Sequence, residues 1–438
     1  MFTWIAHFRM FLTLIAAAVL LTACAGNDLS LSPPPGPEIA KAKPNEGVPA
    51  PIPGPTPTMD ATALPLGSTT SAAVPRDPVM AGERVKIGLL LPLSSAGQTA
   101  IIAQSMQRAA ELAIMDMRAN NVDLIVKDDK GTPEGAMTAA TEMVAAGVEL
   151  VIGPLFSRSV STASGVTRAH QIPMVAFSND RSVAGTGVNL LSFFAGPEVE
   201  RVVGFAVARG LKRFAAFIPD HPGGKRVEQL FRGAVVRAGA AVVGPAPYPA
   251  DSAGRSAPVL QPLKQLALEI RNLESYGDPV DAILIPGGED TASQIGPMLA
   301  TAGIDPKRMR IIGTGALDVP NIGRNAAFVG AWFAAPDPRG YKDFAQRYAR
   351  APGHAPPRIA SLAYDATAIA AVLSEAPKGA RYIPSALTRR AGFTGIDGLF
   401  RLTAEGPVER ALAVLEVTEF DTQVIEPPPA QLEINRVN

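Results

Sequence analysis

Val148-Glu149-Leu150-Val151-Ile152-Gly153-Pro154-Leu155-Phe156-Ser157-Arg158-Ser159 decides the fold. Its first half is a short apolar run, as expected of a strand buried on both faces of a parallel sheet. Gly153-Pro154 stops that strand, because proline has no N–H to give to a ladder and glycine permits the turn. Ser157 follows as a candidate N-cap, and Ser159 through Ala169 can continue as a helix. A strand that empties into a helix N-terminus points unpaired backbone N–H groups at a crevice. In an open α/β sheet such crevices receive small anionic or zwitterionic ligands.

The same unit repeats outward from this stretch. Upstream, Val85 to Leu93 reads as a buried strand closed by proline, and Gly97 to Ala119 has helical spacing. Val122 to Lys127 is a second strand, ended by the acidic turn Asp128-Asp129, whose charges solvation explains. Glu134 to Ala145 is a helix stopped by Gly147. Downstream, Ile172 to Phe177 is a fourth strand, and the glycine-rich Arg181–Asn189 reads as an extra loop. The rhythm restarts after Phe193-Phe194-Ala195-Gly196-Pro197. Strands Phe214–Ile218, Ala241–Val243, Ala282–Ile285 and Arg310–Ile312 then alternate with helical stretches. Two such runs predict two doubly wound, Rossmann-like α/β lobes with right-handed crossovers, not one oversized sheet.

Composition removes several function classes. Forty basic residues balance forty acidic ones, so the net charge near zero argues against a nucleic-acid partner. Cys24 is the single cysteine, which excludes an intrachain disulfide and a cysteine-rich metal site. There is no G-x-S-x-G elbow and no P-loop lysine motif, and Gly313-Thr314-Gly315 lacks the third glycine of a dinucleotide fingerprint. His170, His221 and His354 are scattered, without metal-ligand spacing. No catalytic residue, metal or cofactor is expected.

The N-terminus has its own organisation. Arg9 is followed by an apolar stretch, Met10 to Leu21, too short to span a bilayer comfortably. Leu21-Thr22-Ala23-Cys24 then resembles the lipobox of bacterial lipoproteins. That resemblance implies a signal peptide over 1–23 and a diacylated Cys24 that anchors the chain. Ala25, not aspartate, stands where lipoprotein sorting reads its retention signal, which by resemblance favours the outer membrane. Residues 24–83 are proline-rich, with Pro49-Ala50-Pro51-Ile52-Pro53-Gly54-Pro55-Thr56-Pro57 at their centre, and are expected to be an extended, disordered linker.

Within the folded part, Val85–Leu93, Val151-Ile152-Gly153-Pro154 with Ser157, and Ile172–Ala176 look like the first lobe of Leu/Ile/Val-type periplasmic binding proteins. Tyr364-Asp365-Ala366 and Phe393-Thr394-Gly395-Ile396-Asp397-Gly398-Leu399-Phe400 resemble that family's C-terminal signature. The family fold, the type I periplasmic binding protein, joins two lobes by three crossing strands and closes on a ligand like a hinge. Carried over, a domain over 84–426 would place lobe one at 84–195 and 335–392, and lobe two at 196–334 and 393–426, before a tail over 427–438. The crossings would lie near Ser192–Gly196, Val329–Ala334 and Phe393–Phe400.

The resemblance also implies ligand contacts. Ser157 would hold an amino-acid carboxylate at its helix start, although capping alone would select a serine there. Ser178 and Asn179 align with a position adding hydroxyl or backbone contacts, and both are also ordinary turn residues. Ser94 and Ser95 face the same crevice from the first strand. Asp220, beside His221, and Glu289 stand where the family places groups for the ligand amine, and surface solvation is the plainer reading of each. The first crossing reads Ser192-Phe193-Phe194 where many family members carry an arginine.

The chain also resembles penicillin-binding-protein activator lipoproteins, whose C-terminal half has the same fold. The outer-membrane signal, long arm and missing arginine favour that reading: a non-enzymatic envelope lipoprotein contacting a peptidoglycan synthase. The alternative is a solute-binding receptor that hands an amino acid or similar small polar ligand to an ABC permease.

Overall fold

The computed structural model describes residues 63–66, 84–250, 259–351, 353–404 and 406–432. The expected signal peptide over 1–23, the lipidation site Cys24 and most of the linker and tail lie outside the described residues.

The elements run β1 (Leu64–Pro65), β2 (Val85–Leu91), α1 (Gln98–Met117), β3 (Val122–Asp128), α2 (Pro133–Ala146), β4 (Leu150–Ile152), α3 (Ser157–Ala169), β5 (Met174–Ala176) and β6 (Val188–Leu190). After the first crossing come α4 (Ala195–Ala208), β7 (Arg213–Pro219), α5 (Pro222–Arg237), β8 (Ala241–Tyr248), α6 (Leu260–Ser275), β9 (Ala282–Leu284), α7 (Glu289–Ala302), β10 (Arg310–Gly313) and β11 (Trp332–Ala335). The chain then returns through α8 (Pro338–Ala349), α9 (Ala360–Leu373), the short α10 (Pro384–Leu387), β12 (Phe393–Gly395), β13 (Gly398–Arg401) and β14 (Glu409–Arg410). It ends on β15 (Ala413–Val417) and β16 (Thr422–Glu426).

Two doubly wound sheets carry the fold. The first is five-stranded and parallel, in the order β3-β2-β4-β5-β6. The second is seven-stranded, in the order β16-β15-β11-β10-β9-β7-β8, with β15 alone antiparallel to the rest. In both, the chain lays two strands to one side and the next three to the other, so a switch point opens between β2 and β4 in the first and between β7 and β9 in the second. β4 is buried throughout, as its unbroken apolar run requires. α9 is mostly apolar around its circumference, apart from Ser361, Asp365 and Thr367, and it is buried along nearly its whole length, packing against α1.

The structure departs from the sequence reading in four places. Val188–Leu190, inside the expected loop, is the fully buried edge strand of the first sheet. Phe393–Phe400 does not belong with the second lobe. Its hairpin joins β1 and β14 in a separate four-stranded sheet, and Phe393 and Phe400 enter the first lobe's core. The second crossing follows Ala335 rather than preceding it, since Trp332–Ala335 is a strand of the second sheet. The third lies at Ala411-Leu412, just before β15. Finally, the linker is not featureless up to Glu83. Leu64 N–H donates to Gly392 (3.3 Å) and Leu66 N–H to Thr394 (2.6 Å), while Leu66 is buried in the first lobe. Burying such a side chain is worth about 2 kcal/mol, enough to hold a short edge strand. Pro65 lacks a donor and is exposed at that edge.

Candidate functional site

The C-terminal ends of the two parallel sheets form the candidate site. On the first lobe, Gly153 takes φ 93°, and a Cβ there would lie 2.1 Å from the Leu90 carbonyl oxygen, so only glycine lets β4 turn this close to β2. Phe156, not Ser157, is the N-cap of α3, and it makes no side-chain cap bond. Ser157 is the first helical residue and is half-buried. Ser94 is exposed, and its N–H donates to Asp128 Oδ1 at 3.3 Å. Ser95 is half-buried close to Gly131, as is the exposed Phe156 ring. Ser178 is buried and accepts from the Asp180 N–H at 3.1 Å, whereas Asn179 is exposed. Asp129 corrects the solvation reading of the acidic pair. It is fully buried, its Oδ1 accepts from Gly131 N–H at 3.0 Å, and burial pushes its carboxyl up.

The second lobe presents a cavity of about 450 Å³, in the range of small-molecule sites. His221, Tyr248, Gly288, Thr291 and Thr314 line it. His221 caps α5, its Nδ1 accepting from the N–H groups of Gly223 (3.1 Å) and Gly224 (3.4 Å). Neutral imidazole with an accepting Nδ1 carries its proton on Nε2. α7 is different. It opens on Gly288, which has no side chain, so its first turn lacks a side-chain cap. Gly287 has φ 140°, and a Cβ there would meet the Thr291 Oγ1 at 2.3 Å. Tyr248 stacks on Phe217 with ring centroids 4.5 Å apart. Its hydroxyl is buried without a hydrogen-bond partner. Burial pushes that phenol up to about 12, with the Thr291 hydroxyl acting in the opposite direction.

Contiguous with this cavity, and sharing Ala195, Gly223 and Val227 with it, a second one of about 750 Å³ lies between the lobes. Asn179 and Arg181 line it from the first lobe, and Lys225 and Arg226 from α5. Of the residues expected at the site, Asn179 lines this cleft, while Ser94, Ser95, Ser157 and Ser178 line neither cavity. Asp220 faces away from the amine-binding role, as it pairs with Lys225 at 3.1 Å. The backbone of Glu289 starts α7 beside the cavity.

Behind the cleft, charged groups gather at the crossings. Arg358 of the first lobe pairs with Asp397 (2.8 Å) and reaches Asp318 of the second (3.2 Å). Ser361 Oγ donates to Asp397 Oδ2 at 2.6 Å, and Asp365 Oδ1 accepts from Ile396 N–H at 2.8 Å. Glu198, buried at the start of α4, accepts from Gly315 N–H at 2.9 Å, and burial raises its carboxyl to about 7. Phe193 stands where an arginine was missed, yet cations are there in space. Arg410 and Arg358 lie over its ring, 5.3 and 5.9 Å from the centroid.

A family model described as periplasmic binding protein matches residues 84–422. Among curated proteins, none matches the sequence. Among solved structures, a candidate branched-chain amino acid ABC transporter from Rhodospirillum rubrum is 20% identical, with TM-score 0.67 over 78% of this chain and 100% of its own. An ABC transporter substrate-binding protein from Desulfitobacterium hafniense, solved in complex with Leu, is 17% identical with TM-score 0.58, over 78% and 100%. A solute-binding protein from Rhodopseudomonas palustris, in complex with 3,4-dihydroxybenzoic acid, is 17% identical with TM-score 0.55, over 80% and 98%. At these identities the likeness establishes the shared fold.

Proposed function

The chain belongs to the periplasmic binding protein family, and on that premise we propose that it is a non-enzymatic solute receptor of an ABC importer. A small carboxylate-bearing ligand would sit between the lobes and pass to a membrane permease. One observation carries the reading: two doubly wound sheets are separated by adjoining cavities, lined by Asn179 and Arg181 from the first lobe and by His221, Tyr248 and Thr291 from the second. The solved relatives named above are transport proteins, and the ligands in two of them, an amino acid and an aromatic acid, both carry a carboxylate. In this reading Asn179 serves the first-lobe end of the ligand, and Ser157, set back at the start of α3, supports that wall. Ser94, Ser95 and Ser178 shape the turns around it, and the start of α7 at Glu289 serves the other end. The family places the folded part in the periplasm, and Cys24 would be its acylated anchor. An activator of peptidoglycan synthesis, which the N-terminal features favour, draws no support from these relatives.

Thermal denaturation of the full chain against amino acids and aromatic acids tests the proposal. A true ligand at a hundred times its dissociation constant adds about 2.7 kcal/mol, raising Tm by roughly 5 °C or more. No rise with any of them, together with recovery of a cell-wall synthase in a pull-down, would overturn it.

A further inference from the structure

Resting on the receptor reading, the geometry points to the ligand class: we infer that the cleft takes a small dicarboxylate, whose second carboxylate sits on the second lobe against Tyr248, His221 and the open start of α7. An amino acid with an uncharged side chain would bring no second anion to this wall. The groups there are donors. Tyr248 is 1% exposed as a residue, and among the described residues its hydroxyl makes no well-formed hydrogen bond, with only a weak interaction with the Thr291 hydroxyl; such an under-satisfied buried hydroxyl is costly unless a ligand acceptor meets it. His221 turns Nδ1 inward to its helix, which leaves the Nε2 proton for a ligand. The α7 first turn, uncapped by any side chain, favours negative charge.

The charge balance agrees. Arg181 and Arg226 reach one cavity from opposite lobes; burial and then the Arg226 charge depress Arg181, with the Glu200 charge opposing them. Neither has an ion pair among the described residues. Asp180 feels Arg226, but its Oδ1 is engaged by the Ser182 N–H (3.0 Å) and Oγ (2.7 Å). Asp220 is engaged by Lys225. Asp290 lines the second-lobe cavity but is exposed, so solvent screens it. Two facing guanidinium groups oppose closure of the lobes unless an anion comes between them. A cavity of about 450 Å³ admits a short chain ending in a carboxylate.

The full chain, dialysed free of ligand into a phosphate-free buffer, is titrated calorimetrically with succinate, glutarate, leucine, benzoate and inorganic phosphate. The expected result is binding of succinate or glutarate at least tenfold tighter than leucine or benzoate. Tyr248→Phe and Arg226→Gln each weaken the diacid about tenfold or more, as loss of a hydrogen bond to a charged group predicts. Lys342→Gln, which only opens a surface pair with Asp421, leaves affinity unchanged and controls for the loss of a charge. Leucine or benzoate binding more tightly than both diacids overturns the inference and leaves the receptor reading standing. So does phosphate binding alone, or diacid affinity indifferent to Tyr248→Phe in a variant that keeps its Tm. Silence from every ligand overturns both.

Discussion

Where β4 turns into α3, the contact that demands glycine is backbone on backbone: Gly153 against the Leu90 carbonyl. Where β9 turns into α7, Gly287 closes instead on the Thr291 side chain. The polar groups around the two turns differ in the same sense. On the first lobe, Asp128 is bonded by Ser94, Ser178 by Asp180, and Asp129 by Gly131. On the second, the Tyr248 hydroxyl is buried without a well-formed hydrogen bond among the described residues, and the α7 first turn, like that of α3, has no side-chain cap. The same strand–turn–helix unit thus recurs with a helix start that no side chain caps, and differs in what surrounds it: carboxylates bonded to neighbouring backbone on the first lobe, an aromatic hydroxyl and an imidazole on the second.

The largest test of that contrast is glycine replacement. Gly153→Ala forces a Cβ into a carbonyl at a left-handed φ, with no rotamer to relieve it, and should cost about 4 kcal/mol. Gly287→Ala meets Thr291 at its Cβ (2.6 Å) as well as its Oγ1 (2.3 Å), and rotation cannot move a Cβ, so the start of α7 must shift; it should cost about 2–3 kcal/mol while weakening ligand binding. Urea unfolding of both variants reads the difference directly. Equal losses would mean the two corners are held alike.

The corner at Gly153 was legible because its signal is local: an apolar run, a Gly-Pro stop and a helix-compatible stretch adjoin in sequence. The rest was hidden for identifiable reasons. Val188–Leu190 pairs only through β5, and Gly185 and Gly187 before it read as a loop. β8 was cut short at Val243 because Gly244 and Pro247 look like strand breakers. As the outermost strand of its sheet, β8 tolerates them and runs on to Tyr248. That truncation concealed the residue on which the second-lobe wall depends. Among the expected contacts, Asp220 could not be excluded in advance, since its partner Lys225 sits one helical turn into α5. The charged cluster at the crossings draws Glu198, Asp318, Arg358, Asp397 and Arg410 from five segments, which no spacing rule assembles.

That cluster gives the next test, because it ties the two lobes together. Arg358→Met keeps the stem that packs beside Tyr341, whose ring centroid lies 4.3 Å from the guanidinium carbon, but strands Asp397 in the first lobe and Asp318 in the second. Removing one partner of a buried pair costs about 3 kcal/mol. Asp318→Asn in the same background should recover part of it, since it removes the carboxylate stranded across the lobe boundary. A double-mutant cycle by urea unfolding measures the coupling. Additive losses would show that the lobes are not joined through this arginine.

The smallest effect is the pH dependence of Glu198, and its sign follows from its burial. A carboxyl raised to about 7 in the folded protein, from 4.5 unfolded, keeps its proton on folding through that window. Its stabilising share is complete below the unfolded value and is lost as pH rises through 7, which amounts to about 2 kcal/mol between roughly pH 5.5 and 8. Asp365 adds to the same trend, because burial, and then the Asp397 charge, raise it to about 7 as well. Glu198→Gln retains an acceptor for Gly315 N–H and removes the titration, so only the Asp365 share of the slope should remain. Stability curves of both proteins across this range would separate the two carboxyls. A variant whose slope matches the parent would place the whole titration at Asp365, on the first-lobe side of the hinge, and leave the second lobe's entry helix insensitive to pH.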